Sequence, residues 1–436
     1  MKKCVFVVLA AIMAICLLAG PGNTAGEPKT IRFWSDQSEP WQQKVISAMI
    51  EDFESSNPGV KVEVEYISWK DRQSKMTAAL AAQDVPDVAF LSSQYATSLP
   101  SQGVLKVLDD VAKELGGPEA FTGASLSLAK YNDHFYSLPY CTIPVVMWYR
   151  KDRFEECGLK PPQTLDEFYN AAKVLAEKGK GKYYALGTPF GRAEFTDEGF
   201  ASLALWPMGG GVFDKDMKVV FNSPVNVKAL EYYKSLYPFT PTGSQTWDYS
   251  ETLQSFVSGS CAMTLYFGRM LKNLDEYNPE LLPKTGAFLP PKGEFLRAVN
   301  PPQSIGVFVK AKHPEEGEKF LKFFLTTKHY VDFLWTTPGH AVPTIKSRFE
   351  EWRQQELLKK YPEILDVLLK ACEADVGFSP TKPPGNPIAS PLWQAIRGEQ
   401  IIPDAVQRVT LKGEDPKAVV EWGQKEIEKI VERSKM

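Results

Sequence analysis

Hydrophobic positions along the chain recur with two different periods. After the short β-rich run Thr30-Ile31-Arg32-Phe33-Trp34, residues Trp41, Val45, Ile46, Met49, Ile50 and Phe53 are spaced by threes and fours, as one face of an amphipathic helix requires. Asn57-Pro58-Gly59 stops that helix. Val60, Val62, Val64 and Tyr66 then alternate with Lys61, Glu63 and Glu65, which predicts a strand with one wet face. Strand, helix, strand is the opening of an α/β layer. The alternation continues: Thr164-Leu165-Asp166-Glu167 reads as a capping box, Ser223-Pro224 caps a second helix, and Pro314-Glu315-Glu316 opens a third that runs to Phe323-Phe324. No unit of 20–50 residues recurs, which argues against a solenoid or propeller.

The segment Cys261-Ala262-Met263-Thr264-Leu265-Tyr266-Phe267 differs, because both of its period-2 faces are largely apolar. That pattern predicts a parallel strand covered on both sides. Gly268 then gives the backbone room beside a cleft, and Arg269 follows. An unpaired buried guanidinium is costly, so Arg269 must reach water, an acidic partner or a ligand.

Bulk properties narrow the class. A chain of 436 residues that is 44% hydrophobic can bury more than one core, and length alone suggests two or three compact units. The formal net charge of −3 gives no electrostatic reason to expect nucleic acid or an anionic membrane as partner. Met1-Lys2-Lys3, the apolar run Val5 to Ala19 and the small residues up to Ala25 read as a secretory signal peptide over 1–25. No small residue and cysteine stand together as a lipobox there, so the mature protein is expected in the periplasm or another extracytoplasmic space. Cys141, Cys157, Cys261 and Cys372 remain after cleavage, and their pairing is left open. No C-x-x-C pair occurs and the four histidines are scattered, so neither a metal site nor a cofactor is expected. The G-x-S-x-G elbow, the phosphate loop and H-E-x-x-H are all absent.

Order carries more than any single motif. Ile31-Arg32-Phe33-Trp34 is followed by Val85-Pro86-Asp87-Val88, Gly103-Val104-Leu105-Lys106-Val107-Leu108-Asp109 and Tyr136-Ser137-Leu138-Pro139. Then come Trp148-Tyr149-Arg150-Lys151-Asp152, Pro162-Gln163-Thr164-Leu165-Asp166-Glu167-Phe168, Phe256-Val257-Ser258-Gly259-Ser260-Cys261-Ala262-Met263 and Leu289-Pro290. In this order they resemble the family 1 extracellular solute-binding proteins of ABC transporters, the group that includes the maltodextrin-binding proteins, across essentially the whole mature chain.

The resemblance implies a periplasmic-binding-protein-like α/β fold: two lobes joined by a three-segment hinge, with ligand in the cleft between them. Carried over, lobe one is 27–139 plus 292–336 and lobe two 142–288 plus 340–436, with hinge segments near 140–144, 288–291 and 335–341. It further implies a non-enzymatic monomer that captures a carbohydrate or polyol and hands it to ABC permease subunits. Ligand contacts are expected just after strands: Trp34, Ser35 and Asp36; Ser93, Gln94 and Tyr95; Tyr140 at the first crossing; Glu198 and Phe200; Tyr266 and Phe267; and Trp393 as an aromatic platform. Each has a structural alternative. Trp34 and Trp393 suit a core, Asp36, Ser92 and Ser93 suit helix caps, and His340 suits a structural role. Arg269 stands where maltodextrin-binding members carry an aromatic platform, a departure that opens an anionic or acid-bearing ligand as the alternative within the family. A secreted glycoside hydrolase is the alternative from another class, since 53 acidic residues always leave room for a carboxylate pair.

Overall fold

A computed structural model describes residues 28–434 except 70, 127–128, 215, 298–300 and 374–391. The expected signal peptide and the proline-rich stretch Ser379 to Pro391 lie outside the described residues. Ten strands build two sheets: β1 (Lys29–Ser35), β2 (Val60–Tyr66), β3 (Val88–Leu91), β4 (Leu138–Thr142), β5 (Val145–Arg150), β6 (Tyr184–Gly187), β7 (Cys261–Phe267), β8 (Thr285–Phe288), β9 (Pro302–Val307) and β10 (Val342–Pro343). The first sheet has the order β10-β4-β9-β3-β1-β2 and the second β8-β5-β7-β6. β1 runs parallel to β2 and β3, while β9 is antiparallel to both β3 and β4.

The helices that matter below are α1 (Pro40–Ser56), α2 (Arg72–Ala82), α3 (Ser93–Ser98), α4 (Leu165–Gly179), α5 (Glu194–Phe200), α6 (Pro224–Leu236), α7 (Tyr249–Val257), α8 (Met270–Tyr277), α9 (Pro314–Thr326), α10 (Glu356–Lys360), α11 (Pro362–Glu373), α12 (Trp393–Gly398) and α13 (Ile401–Thr410). Local chemistry sets their starts. Thr164 Oγ1 accepts the Glu167 amide and Ser223 Oγ accepts the Asn226 amide, each satisfying an otherwise unpaired N–H of the first turn. α1 ends at Ser56, and Gly59 with φ 90° turns the chain into β2.

The first sheet packs an aromatic core against α1 and α9. Phe33, Phe90, Tyr140 and Phe324 sit with ring centroids 4.7–5.6 Å apart in tilted and edge-on pairs, each worth about 0.5–1.5 kcal/mol beyond its buried area. In the second sheet β5 shows strand alternation directly: Val145 and Met147 enter one apolar cluster, Val146 and Trp148 the other. β7 is covered on both faces, but the sheet is mixed, with β7 antiparallel to β5 and parallel to β6. Among the described residues no helix is long and apolar enough to cross a membrane. The four described cysteines are unpaired thiols, three of them buried.

The chain passes from the first sheet to the second at Ile143-Pro144. The return, expected at 288–291, comes later. Lys292 and Phe295 donate their amides to Gln163 O and Pro207 O in the second half, at 2.8 and 3.1 Å, and contact with the first half resumes at Pro301, whose carbonyl accepts the Ile143 amide. The third passage, expected at 335–341, is later still. β10 pairs with β4, Thr344 Oγ1 donates to Pro139 O, and Trp335 Nε1 donates to Trp352 O, so residues up to 352 stay with the first sheet. It is α11 that packs on β5 and β8 of the second.

Candidate ligand cleft

Two walls meet where α3 of the first half packs against α12 of the second. The first wall is built at strand ends. β1 finishes in Trp34 and Ser35, and Asp36 turns its carboxylate onto Arg72 at the start of α2, with Oδ2 2.5 Å from Nη1. The side chain of Asp36 is 2% exposed, so this is a buried pair and not a helix cap. The Arg72 guanidinium also lies 3.8 Å from the centroid of Trp69, whose indole is half exposed. After β3, Ser93 Oγ donates to Pro302 O across to β9. Neither Ser92 nor Ser93 caps α3 through its side chain. Gln94 is half buried, and Tyr95 is buried with burial raising its phenol against the pull of Arg72.

The second wall is acidic. Glu194, Asp197 and Glu198 stand at i, i+3 and i+4 on α5, so they share a helix face. Arg397 of α12 meets that face: Nη2 is 3.1 Å from Glu198 Oε1, 3.3 Å from Glu194 Oε2 and 3.0 Å from the Tyr249 hydroxyl, and Nε is 3.9 Å from Asp197 Oδ2. The Tyr249 hydroxyl donates to Glu198 at 2.8 Å. Burial pushes Asp197 well above the carboxylate range and Glu198 up to about 7, opposed in each by Arg397 and reinforced by Glu194. Burial alone would lower the guanidinium's pKa, but Tyr249 and the surrounding carboxyls hold it above its ordinary value. Glu194 raises Tyr95 across the gap, which ties the two walls electrostatically.

Beside this cluster Phe195, Tyr249 and Phe267 stack with centroids 4.7–5.7 Å apart. Tyr266 packs edge-on to Phe195 and is almost fully buried. Several polar atoms around the junction accept or donate no hydrogen bond among the described residues: Trp34 Nε1, Ser92 Oγ, Tyr95 OH and Ser304 Oγ on the first side, and both Asp197 oxygens, Glu198 Oε2 and Trp393 Nε1 on the second.

Four expected residues are placed differently. Tyr140 is 2% exposed and packed among Phe90, Phe324 and Phe333 in the first core, because its strand is internal to the sheet. Phe200 is fully buried, edge-on to Tyr233 in the second core, on the far turn of α5 from Glu194. Arg269 is exposed at the start of α8 and directs Nη2 to His340 Nε2 at 3.3 Å, not to the acidic cluster. Gly268 is needed for a backbone approach: a Cβ there would lie 1.7 Å from Gly339 O. Trp393, expected as an aromatic platform, is 5% exposed, its indole packed in the second core and its N–H without a partner among the described residues. Trp69, Arg72, Glu194, Asp197, Tyr249 and Arg397 complete the two walls and were not anticipated. Two spacings could have pointed to them: Glu194-x-x-Asp197-Glu198, and Trp393 to Arg397, four residues apart on one helix face.

A groove of about 560 Å³ lies elsewhere, between α8, the turn at Trp335 and Pro338, and α10, and none of the expected residues lines it. Among the described residues no group of three or more His, Cys, Asp or Glu is placed to hold a metal ion.

The sequence model of the bacterial extracellular solute-binding proteins matches residues 35–330, more than half of the chain. The chain belongs to that family. This solute-binding protein is 23% identical over 444 residues to the ABC transporter periplasmic-binding protein YcjN of Escherichia coli K12, covering 99% of this chain and 100% of the relative. Its fold matches a solute-binding protein of Thermotoga lettingae TMO bound to α-D-tagatose, with a TM-score of 0.75, 22% identity and coverage of 92% and 99% of the two chains. A solute-binding protein of Agrobacterium radiobacter K84 in complex with ribitol gives a TM-score of 0.75 at 22% identity, covering 92% and 98%. The two-lobed α/β architecture of this solute-binding protein is therefore that of the periplasmic binding proteins.

Proposed function

We propose that the protein captures a carbohydrate or polyol between its two lobes, outside the cytoplasm, and delivers it to an ABC importer. The observation that carries this reading is the set of buried polar atoms without partners among the described residues on the elements that meet at the junction, from Trp34, Ser92 and Tyr95 to Asp197, Glu198 and Trp393. Leaving such groups desolvated costs about 1–3 kcal/mol each. A ligand dense in hydroxyls offers both donors and acceptors to them, and its C–H faces suit the aromatic surface of Phe267 and Tyr249. The polyol and sugar ligands of the structural relatives support the same class. Two lobes joined by short crossings give the geometry for closure, which couples capture to a shape a permease reads. Secretion by the 1–25 segment, a monomeric shuttle, permease subunits as partners and the absence of catalysis belong to the same reading.

A ligand at 1,000 times its Kd stabilises the folded state by about 4 kcal/mol. Thermal unfolding of the mature protein against a panel of sugars, alditols, sugar acids and glycerol phosphates should raise the melting temperature for one chemical class. An unchanged melting temperature across the whole panel overturns the reading.

A further inference from the structure

The acidic wall gathers more carboxyl oxygens than the described residues supply with donors. Three carboxylates of α5, Glu194, Asp197 and Glu198, gather around the single guanidinium of Arg397, whereas Asp36 and Arg72 cancel on the opposite wall. Asp248, at the start of α7, adds a further carboxylate that accepts the Phe195 amide. Asp197 is the least satisfied of these groups. It is 4% exposed, its oxygens accept no hydrogen bond among the described residues, and its nearest cation is Arg397 Nε at 3.9 Å. Glu198 Oε2 is likewise buried without a donor. Glu198 is tied to the stacked rings of Tyr249 and Phe267 through the Tyr249 hydroxyl, which donates to its other oxygen.

We propose that this wall selects an amine: the ligand is a carbohydrate or polyol bearing a protonated amino group, which docks at Asp197 and Glu198 in preference to its neutral or N-acylated counterpart. The inference rests on the carbohydrate-binding reading and narrows it. An ammonium brings three N–H donors and no acceptor, the complement of carboxylate oxygens that lack donors. Charge-assisted hydrogen bonds are roughly twice as strong as neutral ones, and the adjacent ring faces attract a cation as well. A hydroxyl brings one donor and no charge to draw the carboxyls into their ionised form. An anionic ligand brings like charge to the carboxyls, and Arg269, turned to His340, does not offset it.

The test is calorimetric titration of the mature full chain at pH 7 with matched probes: glucosamine, N-acetylglucosamine and glucose, their β-1,4-linked dimers, and an amino-alditol beside its parent alditol. The amine of at least one matched set should bind ten-fold or more tightly than both its neutral and its acetylated form. Asp197→Asn should shrink that ratio to about two, and Glu198→Gln, the second variant should the first not fold, should reduce it also. Equal affinities within every set, or binding confined to neutral members of this set or of the wider panel, overturn the amine inference and leave carbohydrate binding standing. An amine preference that both variants leave intact overturns the assignment to this wall. Silence from every probe here and in the wider panel overturns both readings together.

Discussion

The two walls of the candidate cleft use the same residue types and pair them differently. On the first, one carboxylate meets one guanidinium, and Trp69 lies against the pair. On the second, three carboxylates share Arg397. A matched pair fills its own hydrogen-bonding capacity, while buried carboxyl oxygens without donors gain from any molecule that brings them. On the proposed reading the first lobe positions the ligand and the second selects it.

The sharpest way to break the comparison is to remove the guanidinium. Arg397→Met should destabilise the protein by about 3–5 kcal/mol, because it leaves buried carboxylates unpaired. Urea unfolding followed by tryptophan fluorescence reads this directly, and a loss under about 1 kcal/mol would mean that the second wall is no more strained than the first.

Titration gives a smaller effect with a definite sign. Burial raises Glu198 from its ordinary 4.5 to about 7, so between those values the folded state holds a proton that the unfolded chain has released. Stability of the ligand-free protein should therefore fall as pH rises through that window, by up to about 3 kcal/mol. Asp197, also raised, acts in the same direction. Melting temperatures between pH 4.5 and 8 should show Glu198→Gln gaining on the parent as pH increases; parallel curves would remove the electrostatic contrast.

The smallest effect is expected at Arg269. Its side chain is exposed and its partner His340 is held uncharged by burial and by the arginine itself. Arg269→Ala should change stability by no more than about 0.5 kcal/mol and leave the affinity of neutral sugars unaltered in calorimetry. A large loss would place this arginine in the cleft after all.

What could be read from the chain and what could not follows from the range of the interactions. The β1–α1–β2 unit and the caps at Thr164 and Ser223 are written within a few residues, in periodicity and in single side chains that bond to nearby amides. The later crossings were misplaced because β10 is two residues long and owes its place to pairing with β4, some 200 residues earlier. Tyr140 and Phe200 look like cleft aromatics in a linear reading, and only the stacking of neighbouring elements shows that their rings are enclosed. Arg72 and Arg397 escaped for the same reason: their carboxylate partners are 36 and about 200 residues away.

The close pass of Gly268 and Gly339 has a mechanical meaning. Each glycine precedes a basic residue, and behind the contact between Arg269 and His340 the two main chains approach so nearly that the gap will not admit a methyl group. Gly268 follows β7 of the second sheet and Gly339 precedes β10 of the first, so on the two-lobe reading proposed above this point is a stop between the halves. Arg269 bonded to His340 and Phe267 edge-on to the His340 ring flank the contact, and backbone meets backbone to forbid any further approach. The smallest residue in the chain thereby fixes how near the two walls can be brought.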